Sequence, residues 1–581
     1  MDFRNVNLVW TSVMAETLGR LGLETAVVCP GSRSAPLAIA FAQHPTIEAI
    51  PVLDERSAAF FALGLAKRSG KATALICSSG TAGANFFPAI IEARESRVPL
   101  LVLTGDRPPE LRHCNAGQTI DQQKLYGSYP NAFVELALPS LEPSLLAYVR
   151  QTVRQAWEQT QHPVAGVVHL NCPFRDPLAP IAQPEAIALE PDFDADAFFA
   201  TLQPTKASPP DAMALFQHPP LPQSDRGIIV AGVAQPRDPQ RYCEAIAHLS
   251  KLTGFPVLAE GSSPVRNYLD SFPGLISTYD LMLRQPNLAK ELAPDVVIRV
   301  GETPTSKVLR QWLQDTQPLQ WIVDAGDHNL DPLHLRTTYL RCSVEQLVAR
   351  LQHETPPVPS AYYHRWSHTE NRFRHSIDET FTKTTAWIEG KVAWLLSQCL
   401  PVETPLFIAN SMPVRTIEWF WKPGNSRVIP YVNRGANGID GTLSTALGIA
   451  HRQAPSVLLT GDLALLHDTN GFLLLPKFHG HLTIVLINNH GGGIFETLPI
   501  AQFDPPFEEF FATPQAVDFA RLAATYGIEH RVMTSWEELT DGLQALPSTG
   551  VRVLEVRCDR KANAQWLKAR FGAIAPDLAK Q

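Results

Sequence analysis

Short runs of apolar and β-branched residues alternate along this chain with longer segments that are compatible with helices. This alternation is typical of parallel sheets, because each crossover between parallel strands needs a long connection and places helices over both faces. The pattern comes in three blocks, separated by proline-rich polar stretches at 173–223 and 353–360 that indicate linkers. The sequence therefore predicts an α/β protein of three doubly wound domains with mainly parallel sheets, spanning 1–190, 191–355 and 356–581.

The predicted strands follow the same three blocks. In the first block most of them run into Gly, Ser or Asp, residues that favour turns. They cover residues 25–29, 50–54, 73–77, 100–104 and 164–170 in the first block, 227–231, 255–259, 295–300 and 321–324 in the second, and 405–409, 456–460, 482–488 and 551–556 in the third.

Composition excludes several classes of protein. The chain has 581 residues, 45% of them hydrophobic, and a net charge of -8 from 49 Lys and Arg against 57 Asp and Glu. Because no segment concentrates basic residues, we expect no nucleic-acid partner. The N-terminus has no basic region before an apolar core, and apolar runs such as 482–487 are too short to span a membrane, so we expect a cytoplasmic protein. The eight cysteines form no Cys-x-x-Cys pair, which indicates neither a zinc site nor a disulfide framework.

Polar residues follow two neighbouring predicted strands of the third block. Asp462 stands in a Gly-Asp-Leu string after one strand, and the next strand ends 26 residues later in Asn488 and Asn489, before a His-Gly-Gly-Gly run at 490–493. Ligands of open parallel sheets bind at such strand ends, where Mg²⁺ takes oxygen ligands and glycines let backbone amides approach a diphosphate. Asp462, the side-chain oxygen of Asn489 and the carbonyl oxygen of Gly491 are therefore candidate metal ligands. Either string alone would more often be only a strand end or a turn, whereas the two together favour a functional site.

The Gly-Asp-x string, spaced about 26 residues from Asn-Asn, resembles the diphosphate-binding motif of thiamine-diphosphate enzymes. Glu55, after an early strand, resembles their activating glutamate, although an acidic residue is also common at a helix start. The resemblance implies that the Glu55 carboxyl group hydrogen-bonds the pyrimidine ring of the cofactor, and that the cofactors are thiamine diphosphate and Mg²⁺ or Mn²⁺. The cofactor contacts implied by resemblance are Glu55, Ile439, Gly461, Asp462, Leu463, Asn489, Gly491, Gly492, Ile494 and Phe495, with the metal on Asp462, Asn489 and Gly491.

Four longer sequence strings make the resemblance specific to one family. They are Cys-Pro-Gly-Ser-Arg-Ser at 29–34, Ser-Gly-Thr-Ala at 79–82, Thr-Gly-Asp-Arg-Pro-Pro-Glu-Leu at 104–111 and Asn-Arg-Gly-Ala-Asn-Gly-Ile-Asp-Gly at 433–441. Together they resemble the 2-succinyl-5-enolpyruvyl-6-hydroxy-3-cyclohexene-1-carboxylate (SEPHCHC) synthase family, over about residues 5 to 560. The resemblance implies a transferase of menaquinone or phylloquinone biosynthesis that decarboxylates 2-oxoglutarate and adds the remaining four carbons to isochorismate. It also implies active sites formed across a homodimer, which can pair into a tetramer.

Basic and polar side chains at the strand ends suit two acidic substrates, because guanidinium groups bind carboxylates in a bidentate manner. Ser411 and Arg415 stand four residues apart after a predicted strand, which places both on one face of a helix start. A single arginine is more often a solvated surface charge, and Lys307 also fits an ordinary helix start. The substrate-lining residues implied by resemblance are Ser32, Arg33, Arg107, Gln118, Lys307, Ser411, Arg415 and Arg434, of which Arg33, Gln118 and Arg415 join Glu55 as expected catalytic residues.

Apolar residues near these motifs have two interpretations. Ile439, Ile494, Phe495 and Leu498 match positions that wall the cofactor in the family, yet each could equally belong to the core. The second block has no Gly-x-Gly-x-x-Gly fingerprint, so we expect no dinucleotide there and a contribution of at most Lys307 to the site.

Other functions remain open at this point. Another thiamine-diphosphate decarboxylase or carboligase, similar to acetolactate synthase, would share Glu55, Asp462 and Asn489 but would not need so many arginines. The glycine run at 490–493 resembles an oxyanion-hole string of α/β hydrolases, but the Gly-x-Ser-x-Gly string that such an enzyme needs is missing from the sequence. A non-catalytic nucleotide-sensing module is disfavoured by Glu55, whose carboxyl group such a module would not require.

Overall fold

Three six-stranded sheets organise the structure, a computed structural model that describes residues 1–204, 222–351 and 355–573. The neighbouring strands in each sheet run parallel. The prediction of three doubly wound α/β domains with mainly parallel sheets is confirmed. The boundaries predicted at 190 and 355 fall between sheets, and as domain limits they stay predictions.

The first sheet has the strand order β2-β1-β3-β4-β6-β5. Its core contains large buried side chains such as Trp10, Phe41 and Trp157. Its strands are β1 (Thr25–Val28), β2 (Glu48–Pro51), β3 (Thr73–Cys77), β4 (Leu100–Asp106), β5 (Ala132–Glu135) and β6 (Val167–Pro173). The helices of this block are α1 (Val6–Leu21), α2 (Ala35–Gln43), α3 (Glu55–Ser69), α4 (Thr81–Ala84), α5 (Phe87–Glu95), α6 (Pro143–Gln159), α7 (Pro184–Leu189) and α8 (Ala195–Phe199).

The stretch that follows β6 is not the linker that its proline content predicts. Phe174, Ala186 and Phe199 are buried in the same core as the first sheet. The prediction was wrong here because apolar side chains spaced between the prolines still find a surface to pack on. Of the two predicted linkers, residues 205–221 and 353–354 lie outside the described residues.

The second sheet has the strand order β12-β11-β10-β7-β8-β9, so the chain extends it first on one side of β7 and then on the other. Its strands are β7 (Gly227–Ala231), β8 (Val257–Ala259), β9 (Leu275–Ile276), β10 (Val296–Val300), β11 (Leu319–Val323) and β12 (Arg336–Leu340). The helices of this block are α9 (Pro239–Thr253), α10 (Tyr279–Leu283), α11 (Pro286–Glu291), α12 (Lys307–Thr316), α13 (Val344–Arg350) and α14 (Ala361–Lys383).

The third sheet has the strand order β14-β13-β15-β16-β18-β17, and every residue of its central strand β16 is buried. Its strands are β13 (Pro405–Ile408), β14 (Ile429–Tyr431), β15 (Ser456–Gly461), β16 (His481–Asn488), β17 (Glu529–Val532) and β18 (Gly550–Arg557). The helices of this block are α15 (Glu389–Cys399), α16 (Met412–Phe420), α17 (Thr442–Ala450), α18 (Asp462–His467), α19 (Phe519–Thr525), α20 (Trp536–Gln544) and α21 (Arg560–Ala573).

Helix α17 packs against α3 although the two helices lie far apart in the sequence. A Cβ atom at Gly64 would lie 2.1 Å from the carbonyl oxygen of Thr445, and one at Gly448 would lie 2.2 Å from that of Phe61. The two glycines therefore allow the backbones to touch. As a result the described residues form two compact units: the first holds residues up to 204 with 433–452 and 467–479, and the second holds 222–432, 453–466 and 480–573.

Two chemical features of the chain complete this description. Within the described ranges, the structure has no helix long and apolar enough to cross a membrane. All eight cysteines are free thiols, and only Cys114 is exposed.

Candidate functional site

The carboxyl ends of β15 and β16 bring Asp462 beside the glycine run. Asp462 is buried, its Oδ2 accepts a hydrogen bond from the Gly491 N–H at 2.8 Å, and its Oδ1 accepts one from the Leu463 N–H at 2.7 Å. Burial raises the pKa of Asp462, and the two backbone hydrogen bonds oppose that rise. The carboxylate is thus fixed between the two strand ends, where the sequence predicts it.

Asn489, at the end of the neighbouring strand, has an unpaired side-chain oxygen. Its Nδ2 donates to Glu389 Oε1 at 2.8 Å, whereas its buried Oδ1 has no hydrogen-bond partner among the described residues. Gly491 adopts a φ of 125°, and a Cβ there would lie 2.3 Å from the carbonyl oxygen of Ala512, so only glycine fits. The Gly491 carbonyl oxygen accepts from the Gly493 N–H at 2.8 Å and keeps a second lone pair.

These oxygens fit a hard cation. A buried polar atom without a hydrogen-bond partner destabilises the folded protein, so the unpaired Oδ1 of Asn489 indicates that a ligand binds there. A carboxylate, an amide oxygen and a backbone carbonyl are the donors that Mg²⁺ prefers in proteins. A hydrogen bond joins Asp462 to Gly491, and Asn489 stands two residues before Gly491, but the role of the three residues as metal ligands stays a prediction.

Glu389 belongs to this group, and sequence reasoning missed it. It is the first residue of α15, its side chain is buried, and its Oε2 has no hydrogen-bond partner among the described residues. Burial raises the pKa of Glu389 to about 7; the hydrogen bond from Asn489 opposes the rise, and the nearby charge of Asp462 adds to it. An acidic residue at a helix start is so common that the sequence carries no signal for this role.

Gly461, Leu463, Gly492, Ile494 and Phe495 flank the same strand ends. A 3₁₀ helix over Gly493–Thr497 follows the glycine run, and the Phe495 N–H donates to the Gly492 carbonyl oxygen at 3.0 Å. Ile494 packs against the core of the second unit, and the Phe495 ring lies 5.8 Å from that of Phe511. Core packing is thus part of what Ile494 and Phe495 do, and their predicted cofactor contacts remain predictions.

Ser411 and Arg415 come together at the end of β13, as their spacing predicts. Ser411 precedes α16 with a left-handed φ of 71°, and Arg415 Nη1 donates to the Ser411 carbonyl oxygen at 2.6 Å. Lys307 is the exposed first residue of α12, the helix that follows β10 of the second sheet. The structure therefore pairs Ser411 with Arg415, while the contribution of Lys307 to the same site stays a prediction.

In the first unit Arg107 and Gln118 converge on Ser79. Arg107 Nη1 donates to Ser79 Oγ, and Gln118 Nε2 donates to the Ser79 carbonyl oxygen at 3.0 Å. Arg33 Nη1 donates to the Phe174 carbonyl oxygen at 2.8 Å, and burial followed by the positive charge of Arg107 lowers the pKa of Arg33. Two guanidinium groups are thus concentrated at the ends of β1 and β4, next to the exposed Ser32.

A buried amide network supports these residues, and no sequence pattern predicts it. Gln122 Oε1 accepts from the Gly80 N–H at 2.9 Å, while its Nε2 donates to the Gly105 carbonyl oxygen at 3.2 Å and to Asn171 Oδ1 at 3.0 Å. Asn171 Nδ2 in turn donates to Asp106 Oδ2 at 2.8 Å. The network therefore joins the loop that carries Ser79 to the strand end that carries Arg107.

Glu55 begins α3 in the first unit and is partly exposed. Asp54 caps the helix, since its Oδ1 accepts from the Arg56 N–H at 2.9 Å. After burial, the negative charge of Glu55 is the largest influence that raises the pKa of the Cys29 thiol, which places Glu55 beside the end of β1. The predicted position at a strand end is therefore the one that Glu55 occupies.

Arg434 and Ile439 lie on one loop of the first unit, and both are partly buried. Glu92 on α5 holds this loop, because its carboxylate accepts from the N–H groups of Gly435 at 3.0 Å and Ala436 at 2.7 Å. Their predicted contacts with substrate and cofactor remain predictions.

Comparison with known families agrees with this arrangement. Three family models match: the thiamine pyrophosphate enzyme N-terminal TPP binding domain at 10–125, the middle domain of thiamine pyrophosphate enzymes at 211–408, and the C-terminal TPP binding domain at 417–556. The three parallel sheets and these matches define a thiamine-pyrophosphate-dependent enzyme.

Similar curated proteins identify the family within this class of enzymes. The chain is 59% identical over 583 residues to a protein of Nostoc sp. (strain PCC 7120 / SAG 25.82 / UTEX 2576) and 59% identical over 577 residues to one of Trichormus variabilis, with 99% of each chain covered. It is 58% identical over 586 residues to a protein of Acaryochloris marina, with 100% of both chains covered. All three are named 2-succinyl-5-enolpyruvyl-6-hydroxy-3-cyclohexene-1-carboxylate synthase. The chain belongs to this family of synthases.

Proposed function

We propose that this enzyme decarboxylates 2-oxoglutarate and adds the remaining four carbons to isochorismate by conjugate addition, in menaquinone or phylloquinone biosynthesis. The names of its full-length relatives support the reaction. The observation that carries the substrate class is the pair of guanidinium groups of Arg33 and Arg107 at the strand ends of the first sheet. A chain with a net charge of -8 needs such a local cationic site to bind two acids.

Thiamine diphosphate, when bound, supplies the electron sink that lets a 2-oxoacid lose carbon dioxide and react through its former carbonyl carbon. The protein's own residues bind and orient. We assign Glu55 to a hydrogen bond with the pyrimidine ring, where its carboxyl group can hold or release a proton at the ring nitrogen. The substrate carboxylates are assigned to Arg33, Arg107, Arg415 and Arg434 with Ser32, Gln118, Ser411 and Lys307.

We further propose that Asp462, Asn489 and Gly491 hold Mg²⁺, for which Mn²⁺ can substitute. The burial of Asp462 and the orphaned oxygen of Asn489 support this assignment. A divalent cation there would neutralise buried negative charge and the charge of a diphosphate.

The oligomeric state and the cellular location are proposed from the family resemblance. We propose a homodimer, or a pair of dimers, that acts in the cytoplasm. The free state of all eight cysteines is compatible with a reducing compartment.

The first test is loss of isochorismate absorbance when the purified enzyme is mixed with thiamine diphosphate, Mg²⁺ and 2-oxoglutarate. We expect isochorismate to disappear only when all components are present, since the cofactor, the cation and the 2-oxoacid all take part in the proposed reaction. Omission of each component in turn is the control. If isochorismate persists while other 2-oxoacids are decarboxylated, an acetolactate-synthase-like carboligase is the better assignment.

A further inference from the structure

We infer that Glu389 is a positioning residue for the cation site: it turns the amide of Asn489 so that the oxygen, and not the nitrogen, faces the cation. This inference rests on the proposed Mg²⁺ site of Asp462, Asn489 and Gly491.

The orientation follows from the hydrogen bond between the two side chains. An asparagine amide has one oxygen and one NH₂ group, and either could in principle face a ligand. A carboxylate only accepts hydrogen bonds, so the end of the Asn489 amide that meets Glu389 Oε1 at 2.8 Å is the NH₂ group. Asn489 Oδ1 is left on the other side, buried and without a hydrogen-bond partner among the described residues.

The surroundings hold this pair in place. Glu389 is only 1% exposed, and its backbone N–H donates to Asn563 Oδ1 at 3.3 Å, so its side chain is not free to turn into solvent. A Cβ at Gly493 would lie 2.6 Å from Asn489 Nδ2. Residue 493 must therefore lack a side chain for the amide to reach Glu389.

Glu389 also adds charge to the site. Its Oε2 is buried without a hydrogen-bond partner in the described part of the chain, and Asp462 is a second buried carboxylate close enough to act on it. A cation bound there would offset the repulsion between the two buried carboxyl groups, so their closeness favours the binding of a cation. Hydrogen-bond partners of metal ligands commonly change metal affinity by about 10–100-fold when they are replaced.

The test is a Mg²⁺ titration of the full-length enzyme with saturating thiamine diphosphate, followed by melting temperature. For Glu389→Leu we expect the half-maximal Mg²⁺ concentration to rise by about 10–100-fold, because both the amide orientation and the charge are lost. Glu389→Gln should show a smaller rise, since its side-chain oxygen can still accept from Asn489 Nδ2. Glu537→Gln is the matched control, because Glu537 is an exposed acid in the first turn of α20; its titration midpoint should equal that of the wild type.

An exchange of the two partners separates positioning from a merely structural role. Asn489→Asp alone adds a charge but removes the hydrogen bond to Glu389 and sets two carboxylates side by side, so the ligand oxygen is no longer held in place and Mg²⁺ binding should weaken. In the double variant Glu389→Gln with Asn489→Asp, the glutamine NH₂ group donates to the aspartate, and the midpoint should return toward the wild-type value. A role in folding alone would lower the melting temperature without Mg²⁺ and leave the midpoint unchanged.

The outcomes distinguish this inference from the function on which it rests. If Mg²⁺ does not raise the wild-type melting temperature, or raises it equally in Asp462→Ala, the proposed metal site is wrong. If the wild type responds and Asp462→Ala does not, but the Glu389 variants keep the wild-type midpoint, the positioning role is overturned. Should Glu389→Leu fail to fold, the Glu389→Gln midpoint and the exchange variant decide the question.

Discussion

Gln122 shows how a single buried side chain can fix the geometry of a substrate site. It is 1% exposed, and its three hydrogen bonds use its oxygen once and its NH₂ group twice. The groups that it satisfies belong to the loop after β3, the end of β4 and the middle of β6. Ser79, the hydrogen-bond partner of both Arg107 and Gln118, lies on the loop after β3. The positions of these two expected substrate-binding residues therefore depend on the buried Gln122.

We predict that Gln122→Leu lowers the free energy of unfolding by about 2–4 kcal/mol, because it leaves the Gly80 N–H, the Gly105 carbonyl and the Asn171 amide oxygen buried with fewer partners. Equilibrium unfolding in urea measures the change. The neighbouring Gln123 is exposed, so Gln123→Leu should change stability by less than about 0.5 kcal/mol. Equal stability of the two variants would show that the network contributes nothing to the fold.

At the scale of elements, a loop of the second sheet holds the helix that carries Arg415. Arg266 is fully buried and donates to the carbonyl oxygen of Glu418 at 2.8 Å and to Glu418 Oε2 at 3.1 Å. Asn267 donates to the Val428 carbonyl oxygen at 2.8 Å, on the segment that leads into β14. The second block therefore also anchors the C-terminal half of α16, and its expected contribution of at most Lys307 to the site stays a prediction.

Glu418 should make the stability of this anchor depend on pH. Burial raises the pKa of Glu418 to about 8, and the charge of Glu260 adds to the rise while Arg266 opposes it. Because the folded protein binds this proton more tightly than the unfolded chain, the stabilisation is complete below the ordinary value of 4.5 and is lost as the pH rises through 8.

We therefore predict that the difference in unfolding free energy between the wild type and Glu418→Gln decreases from pH 4.5 to pH 8, by at most about 1.4 kcal/mol per pH unit. Glutamine is the suitable replacement because its oxygen can accept from Gly261 and Arg266 while its NH₂ group donates to the Tyr279 hydroxyl. Urea unfolding at several pH values measures the difference. A difference that stays constant with pH would show that Glu418 does not titrate in this range.

At the scale of the whole molecule, the family resemblance implies that active sites form across a homodimer. An inactive Glu55→Gln chain and an inactive Asp462→Ala chain can then complement each other. In a mixed dimer, one site would receive both altered residues and the other would receive neither.

We predict that refolding or subunit exchange of an equal mixture of these two variants restores about a quarter of the wild-type activity, because half of the dimers are mixed and each holds one intact site. Each variant alone should be reduced by about 10²-fold or more, since an acid–base group or a metal ligand is lost. Unmixed variants at the same total concentration are the controls. No recovery in a mixture that demonstrably contains mixed dimers would place each site within one chain.

The strands that the sequence pattern does not predict share one position in the fold. β5, β9, β12, β14 and β17 are all edge strands, whereas the central strands of each sheet are predicted to within three residues, a usual error at element boundaries. A central strand is buried on both faces and forms a continuous apolar run, as β16 does. β5 and β17 are only partly buried or exposed along their length, so no such run marks them.

The sequence by itself determined the central strands of the sheets and the strand-end positions of Glu55, Asp462 and Asn489, because each is encoded by a contiguous run or a short string with a fixed spacing. Tertiary structure decided the partners of those residues. Glu389 lies 100 positions before Asn489, and Gln122 lies 42 positions after Gly80, so no local pattern links either pair. Glu389 and Gln122 form hydrogen bonds with the Asn489 amide and the Gly80 N–H. These polar groups lose contact with water only when the strands assemble, so they require a protein partner only in the folded chain.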